Sequence, residues 1–323
     1  MSSEPTMRTI TQDTWGGPEV LYLTRARRPV PLPTEVLVRV HSAGVNPVDW
    51  KTRQGGGMAG VLGDPPFTVG WDVSGVVEEV GFGVHTVEVG DEVYGMPWFP
   101  RQAGAYGEYV SAPSRHFARK PAALDHDHAA GVPLAALTAW QSLVDAARVE
   151  AGQRVLVHAA AGGVGHFAVQ FAKHLGAQVI GTARAAKHDW LRSLGADELI
   201  DYTEDRFEEA VRDVDVVLDL VGDEHERTST RSLRTLRSGG TLIAVPSGAS
   251  PDLVERARAQ GVRARGFLVE PDGAALGLIG GLVDEGAVSV AVEDVLPLAE
   301  AAEAHRRGEE GRTRGKLVLR VAS

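Results

Sequence analysis

Two stretches of this sequence hold residues whose types and spacing suit chemistry. In the first, Ala160-Ala161-Gly162-Gly163-Val164-Gly165 lies between a β-branched run at 155–159 and an apolar helical stripe at 164–175. Set against G-x-G-x-x-G, Gly162 and Gly165 fill the second and third glycine positions, and Ala160 replaces the first. The second glycine lets backbone approach a pyrophosphate, and the third lets a helix close on a strand. The helix start then offers unpaired N–H groups and a positive dipole end to the anion. Strand, glycines and helix in that order imply a dinucleotide site at Gly162, Gly163, Val164 and Gly165. The second stretch lies where an NAD site carries Asp or Glu for the ribose hydroxyls. It reads Gly181-Thr182-Ala183-Arg184-Ala185-Ala186-Lys187, with two cations and no acid. Arg184 and Lys187 suit a 2′-phosphate, so NADPH is expected over NADH. Read as structure alone, both are solvated residues at a helix start.

Bringing these residues together requires a parallel sheet. Candidate strands at 155–159, 178–182, 198–201, 214–219 and 241–245, with a sixth near 262–269, alternate with helical stretches, the pattern of βαβ units. Between the first two, Phe167, Ala168, Phe171, Ala172 and Leu175 form a helical stripe that Gly176 ends as a C-terminal cap. Before about residue 125 the texture changes to short β runs rich in glycine and proline, read as an antiparallel unit, and a last strand is expected at 315–321. The fold class is therefore α/β: a doubly wound parallel sheet at residues 125–262, and a second, β-rich domain assembled from 1–124 and 263–323.

Length agrees, since 323 residues make about two domains. Apolar residues at 43% and charged residues at 24% indicate a folded chain. Thirty-three basic against 43 acidic side chains leave a net charge of −10, which repels phosphate backbones, so no nucleic-acid partner is expected. No apolar run approaches the roughly 20 residues of a membrane span, and the polar start lacks a secretory segment, so a cytoplasmic protein without a membrane partner is expected. Cysteine is absent, which excludes disulfides, thiolate nucleophiles and cysteine-bound zinc. His126-x-His128 reads as a helix start rather than a ligand pair, and His166 as a helix-surface residue. No serine lies in a G-x-S-x-G context, which leaves hydrolase chemistry without an anchor.

Five blocks connect the chain to a known family: 43–49 (Ala-Gly-Val-Asn-Pro-Val-Asp), 69–77 (Val-Gly-Trp-Asp-Val-Ser-Gly-Val-Val), 133–140 (Pro-Leu-Ala-Ala-Leu-Thr-Ala-Trp), the glycine motif, and 315–319 (Gly-Lys-Leu-Val-Leu). In these the chain resembles, nearly end to end, the medium-chain dehydrogenase/reductase superfamily, and within it the zinc-free, zeta-crystallin-like NADPH:quinone oxidoreductases. The resemblance implies a Rossmann domain, a GroES-like domain and NADPH in the cleft between them. Zinc-dependent members place Cys where this chain has Asn46 and His where it has Trp71, so no metal is expected. Without a Lewis acid to hold an alkoxide, the chemistry left is hydride delivery to a quinone or an α,β-unsaturated carbonyl, whose own oxygen takes up the charge.

By the same resemblance Asn46 lies beside the nicotinamide and fixes its face, and Asp49 lines the active cleft with it. Thr138 contacts the cofactor, Tyr202 lies near the adenosine phosphate, and Val221 and Ser247 follow the fourth and fifth strands around the nicotinamide ribose. Read as structure alone, Asn46-Pro47 is a turn, Asp49 a helix cap and Tyr202 a sheet-edge residue. The chain departs from many zeta-crystallin-like members in having Trp50-Lys51 where they carry Tyr two residues after the aspartate. Lys51 suits stabilising an enolate oxygen or relaying a proton, and Trp50 an aromatic-tolerant pocket; the plain alternative for Lys51 is an exposed cation. Relatives are often homodimers. An enoyl-thioester reductase of the same architecture, and a non-catalytic NADPH- or RNA-binding crystallin-like protein, are the competing readings, the second opposed by the charge.

Overall fold

The β-branched runs before residue 125 form strands β1 (Thr6–Thr11), β2 (Tyr22–Arg27), β3 (Glu35–Val45), β4 (Asp72–Val80), β5 (Glu92–Gly95), β6 (Tyr109–Pro113) and β7 (Phe117–Arg119). The central region supplies β8 (Arg154–Val157), β9 (Gln178–Thr182), β10 (Glu198–Ile200), β11 (Val214–Asp219), β12 (Leu236–Ala244) and β13 (Arg263–Gly266). The end of the chain adds β14 (Val292–Pro297) and β15 (Lys316–Arg320). The structure is a computed structural model and describes residues 5–224, 226–246 and 249–322. It contains two compact units. One runs to Leu137 and resumes at Glu270–Gly286 and from Val290 onward; the other comprises Thr138–Val269 with Ala287–Ser289.

In the first unit, seven strands form one sheet in the order β14-β15-β3-β4-β5-β7, with β6 paired to β3, and β1 and β2 form a separate hairpin pair. All pairings are antiparallel except β14 with β15. Alternation along β3 turns Val36, Val38 and Val40 into a core that also takes Val73, Val77 and Leu319. Register fixes what matters for function: Gly44 on β3 pairs with Asp72 on β4, and Val45 pairs with Leu317 on β15. Three strand ends therefore meet at one place. Gly44 is required there, because a Cβ would come within 2.3 Å of the Ala130 carbonyl oxygen and 2.9 Å of the Asp72 side chain.

The second unit is a six-stranded, wholly parallel sheet in the order β10-β9-β8-β11-β12-β13. This is the doubly wound order, in which the direction of winding reverses at β8 and a ligand crevice opens at the strands' carboxyl ends. The Gly163–His174 helix follows β8 and buries Phe167, Ala168, Phe171 and Ala172, as its stripe predicts, and Gly176 terminates it at φ +81°. The first strand ends at Val157 rather than 159, since Ala159 takes φ +47° to turn the chain toward the helix. The fifth strand begins earlier than expected, at Leu236, with an irregularity between the pairs Val214/Leu236 and Val216/Thr241. The sixth, expected at 262–269, is the four-residue edge strand β13.

Candidate active site

The glycine motif has the geometry its spacing implies. Gly162 caps the Gly163–His174 helix in extended conformation, and the helix's first N–H groups have no partner within it. At Gly165 a Cβ would stand 2.3 Å from the Ala159 carbonyl oxygen and 2.7 Å from Ala160, so only glycine lets this helix close on the turn. The first-glycine position needs no glycine, because the left-handed residue of the turn is Ala159 rather than Ala160. His166 corrects the surface reading: it is fully buried, its Nδ1 lies 3.0 Å from the Gly162 carbonyl, and its ring packs against Phe167 and Trp190.

Arg184, beyond the end of β9, donates from Nε to the Tyr202 hydroxyl, beyond the end of β10, at 3.1 Å. Two residues singled out for the phosphate end of the cofactor are thus joined at the sheet's carboxyl edge, both exposed, with Lys187 half-buried one turn on. Val221 donates its N–H to Asp219 Oδ1 at 2.9 Å, and Gly222 does so at 3.1 Å, which ties down the turn after β11. Thr138 is buried on the Pro133–Trp140 helix. Ser247 lies outside the described residues.

Beneath the turn is a residue that spacing did not single out. His158 is fully buried between Thr182 Oγ1, at 3.1 Å from Nδ1, and Ser232 Oγ, at 2.9 Å from Nε2. Ser232 spends its own proton on the Thr228 carbonyl at 2.6 Å, so it accepts from Nε2–H and Nδ1 accepts from Thr182. Burial pushes the His158 imidazolium down to about 4, so the ring is neutral at pH 7.

In the first unit, Asn46 is the N-cap of the Pro47–Arg53 helix and Pro47 takes the first helical position. Asp49 Oδ2 accepts the Asn46 N–H at 2.8 Å, so the turn-and-cap reading holds. Asn46 does more than cap. Its Nδ2 donates to Asp72 Oδ2 at 2.7 Å, its Oδ1 accepts from Lys316 Nζ, and Lys316 also donates to the Val45 carbonyl at 2.9 Å. Asp72 Oδ1 accepts the Leu134 N–H at 2.7 Å, and Lys316 stands 3.6 Å from Oδ2. Burial pushes the Asp72 carboxyl up and the Lys316 ammonium down, and the pair's mutual charge and hydrogen bonds oppose both shifts. Asp49 is pushed up to about 7, chiefly by burial, with Asp72 adding to the rise; the Asn46 N–H, Tyr106 hydroxyl and Lys316 work the other way.

Lys51 is not part of this cluster. Two residues past Asp49, it lies about 200° round the helix, half-buried, and none of its side-chain partners is found among the described residues. Trp50 packs edge-on against His305, with ring centroids 6.2 Å apart, and covers Gly308, where a Cβ would come within 2.6 Å of it. The members of this buried polar cluster that spacing missed are Asp72, Tyr106, His305 and Lys316. Asp72 and Lys316 stood inside recognised blocks, but only register reveals that they meet Asn46; Tyr106 and His305 carried no signal.

Residues 32–122 match the family described as alcohol dehydrogenase GroES-like domain, and residues 194–319 the family described as zinc-binding dehydrogenase. Over 94% of its length the chain is 35% identical to a 2-haloacrylate reductase from Burkholderia sp, covering 96% of that protein. It is 34% identical over the same share to a chloroplastic NADPH-dependent alkenal/one oxidoreductase from Arabidopsis thaliana, covering 77% of it. Among solved structures, the quinone oxidoreductase from Coxiella burnetii superposes with a TM-score of 0.92 at 37% identity, over 98% of this chain and 100% of that one. With its doubly wound sheet, its β-rich unit and these relatives, the chain belongs to the medium-chain dehydrogenase/reductase superfamily.

Proposed function

We propose that this chain is an NADPH-dependent oxidoreductase that reduces quinones or α,β-unsaturated carbonyl compounds. The observation that carries the reading is the convergence, at the carboxyl ends of β8 to β11, of a helix start closed by Gly165 and the Arg184–Tyr202 pair. That edge suits a dinucleotide: backbone N–H groups of Gly162, Gly163, Val164 and Gly165 for the pyrophosphate, Arg184 and Lys187 for the 2′-phosphate, and Tyr202 and Val221 along its length; roles for Thr138 and Ser247 are carried over from the family resemblance. Bound NADPH supplies the hydride. The family resemblance implies that Asn46 lies beside the nicotinamide; Asp49 holds Asn46 through its backbone N–H, and Lys51 or solvent protonates the enolate.

The donor set argues against a metal at Asn46. Its Oδ1 already accepts from the Lys316 ammonium, so a divalent cation there would meet a buried positive charge. Trp71 offers no lone pair, and its indole N–H is spent on the Arg101 carbonyl at 2.7 Å. Zinc-free, zeta-crystallin-like chemistry follows, in which the substrate's own conjugated oxygen takes up the charge. No helix among the described residues is long and apolar enough to cross a membrane; a cytoplasmic homodimer is the assembly proposed, with edge strand β13 available for pairing.

The test is a spectrophotometric panel following NADPH consumption with 1,4-benzoquinone, 9,10-phenanthrenequinone, short alkenals, methyl vinyl ketone and crotonyl-CoA. Turnover with a quinone or enone is expected. Consumption with none of them sinks the reading, and crotonyl-CoA far ahead of methyl vinyl ketone moves it to an enoyl-thioester reductase.

A further inference from the structure

A run of buried polar side chains leads away from Asp49, and the direction of every hydrogen bond in it is fixed. Arg53 is fully buried, pairs with Glu309 through Nη2, and places Nη1 3.0 Å from His305 Nδ1. A guanidinium only donates, so Nδ1 accepts and the His305 proton sits on Nε2. Nε2 lies 3.0 Å from the Tyr106 oxygen, which therefore accepts there and turns its own proton to Asp49 Oδ2 at 2.9 Å. The Asn46 N–H donates to the same oxygen. Oδ2 is thus engaged twice, whereas Oδ1 is buried and has no hydrogen-bond partner among the described residues.

The chain cannot run backward. Protonating His305 at Nδ1 would set two cations face to face, and burial with Arg53 holds its imidazolium down to about 3. Burial beside Asp49 likewise keeps the Tyr106 phenol protonated. The charged and titratable groups facing Asp49 are then few: Asp72 from β4, Lys316 from β15, Tyr106, and His305 with Arg53 and its Glu309 partner behind. Asp72 and Lys316 cancel, so the cluster around Asn46 is neutral when Asp49 carries a proton and carries one negative charge when it does not.

We propose that Arg53, His305 and Tyr106 are positioning residues that confine the Asp49 proton to Oδ1, and that the presence of this proton makes the Asn46 cluster discriminate between reduced and oxidised nicotinamide. The inference rests on the proposed placement of Asn46 against the nicotinamide. The ring is neutral in NADPH and cationic in NADP+, so ionised Asp49 favours NADP+ and protonated Asp49 favours NADPH. By linkage, each cofactor form shifts the Asp49 proton affinity by the factor with which the proton shifts cofactor affinity. Hydride departure then draws the Asp49 proton toward release, a release that is electrically balanced by the new positive charge on the ring.

Two measurements on the full chain test this. Infrared titration with 13C-labelled aspartate, which needs no cofactor or substrate, is expected to show a protonated buried carboxyl losing its proton near neutral pH; Asp49→Asn removes that band and Tyr106→Phe moves its midpoint upward. Calorimetry is expected to show the NADP+ to NADPH affinity ratio rising about tenfold between pH 6 and 8.5 in the native chain, and staying flat in Asp49→Asn. A native ratio independent of pH, or a carboxyl already ionised at pH 5.5, overturns the proposal. If Tyr106→Phe fails to fold, the native titration alone decides. A chain that binds neither cofactor refutes the proposed function instead, and the infrared result still reports on Asp49.

Discussion

The two units solve opposite electrostatic problems. The central unit presents exposed cations and backbone to solvent, Arg184 beside Tyr202 and the open start of the Gly163–His174 helix, which the proposed function gives to an anion. The other unit buries Asn46, Asp49, Asp72 and Lys316 at 0–3% exposure and satisfies almost every polar atom from within. An exposed charge can be removed at small cost to the fold, whereas a buried one is bound to its partners, because each carries a desolvation penalty that only the others offset. Function at the first should thus separate cleanly from stability; at the second the two are coupled.

The sharpest break of this contrast is Lys316→Met, which leaves Asp72 buried without its counter-ion. A loss of about 3–5 kcal/mol in denaturant unfolding is expected, against almost no change for the exposed Arg184 in Arg184→Ala. Equal losses would erase the distinction. Next comes acid sensitivity. His158 titrates near 4 in the fold and near 6.5 when unfolded, so the stability it contributes is complete above about pH 6.5 and disappears as pH falls through 4. That amounts to about 3 kcal/mol, and His158→Gln should flatten the stability slope across this window. Asp49 has the opposite sign, its raised value making the fold lose stability as pH rises from about 4 toward 7.

At the proposed cradle, losing a charged hydrogen-bond donor to phosphate should make Arg184→Ala raise the KM for NADPH by about 10–100-fold and leave that for NADH nearly unchanged. Parallel changes for both cofactors would remove Arg184 from the 2′-phosphate. The smallest effect is expected at Lys51. Outside the buried cluster, its replacement by Met should alter stability by less than about 0.5 kcal/mol and lower kcat on an enone only if it, rather than solvent, delivers the proton.

The same contrast explains what was legible in the sequence. The proposed phosphate cradle is local: Ala160 to Gly165 and Arg184 follow consecutive strands, so period and spacing expose them, and even the close approach at Gly165 was implied by its place in the motif. The parallel sheet and the Gly176 cap were readable for that reason too. The buried cluster is non-local. Lys316 lies 270 positions from Asn46, and they meet only because Val45 pairs with Leu317 and Gly44 with Asp72. His305, Tyr106 and Arg53 carry no spacing signal, because their hydrogen bonds are set by helix packing rather than by a motif.

The account depends most on hydride transfer proceeding without a metal, and one preparation can decide it: metal content by mass spectrometry together with NADPH-dependent reduction of a quinone and an alkenal before and after chelation. The expected result is full turnover with substoichiometric zinc, unchanged by the chelator. Stoichiometric zinc whose removal abolishes turnover, and whose return restores it, would contradict it.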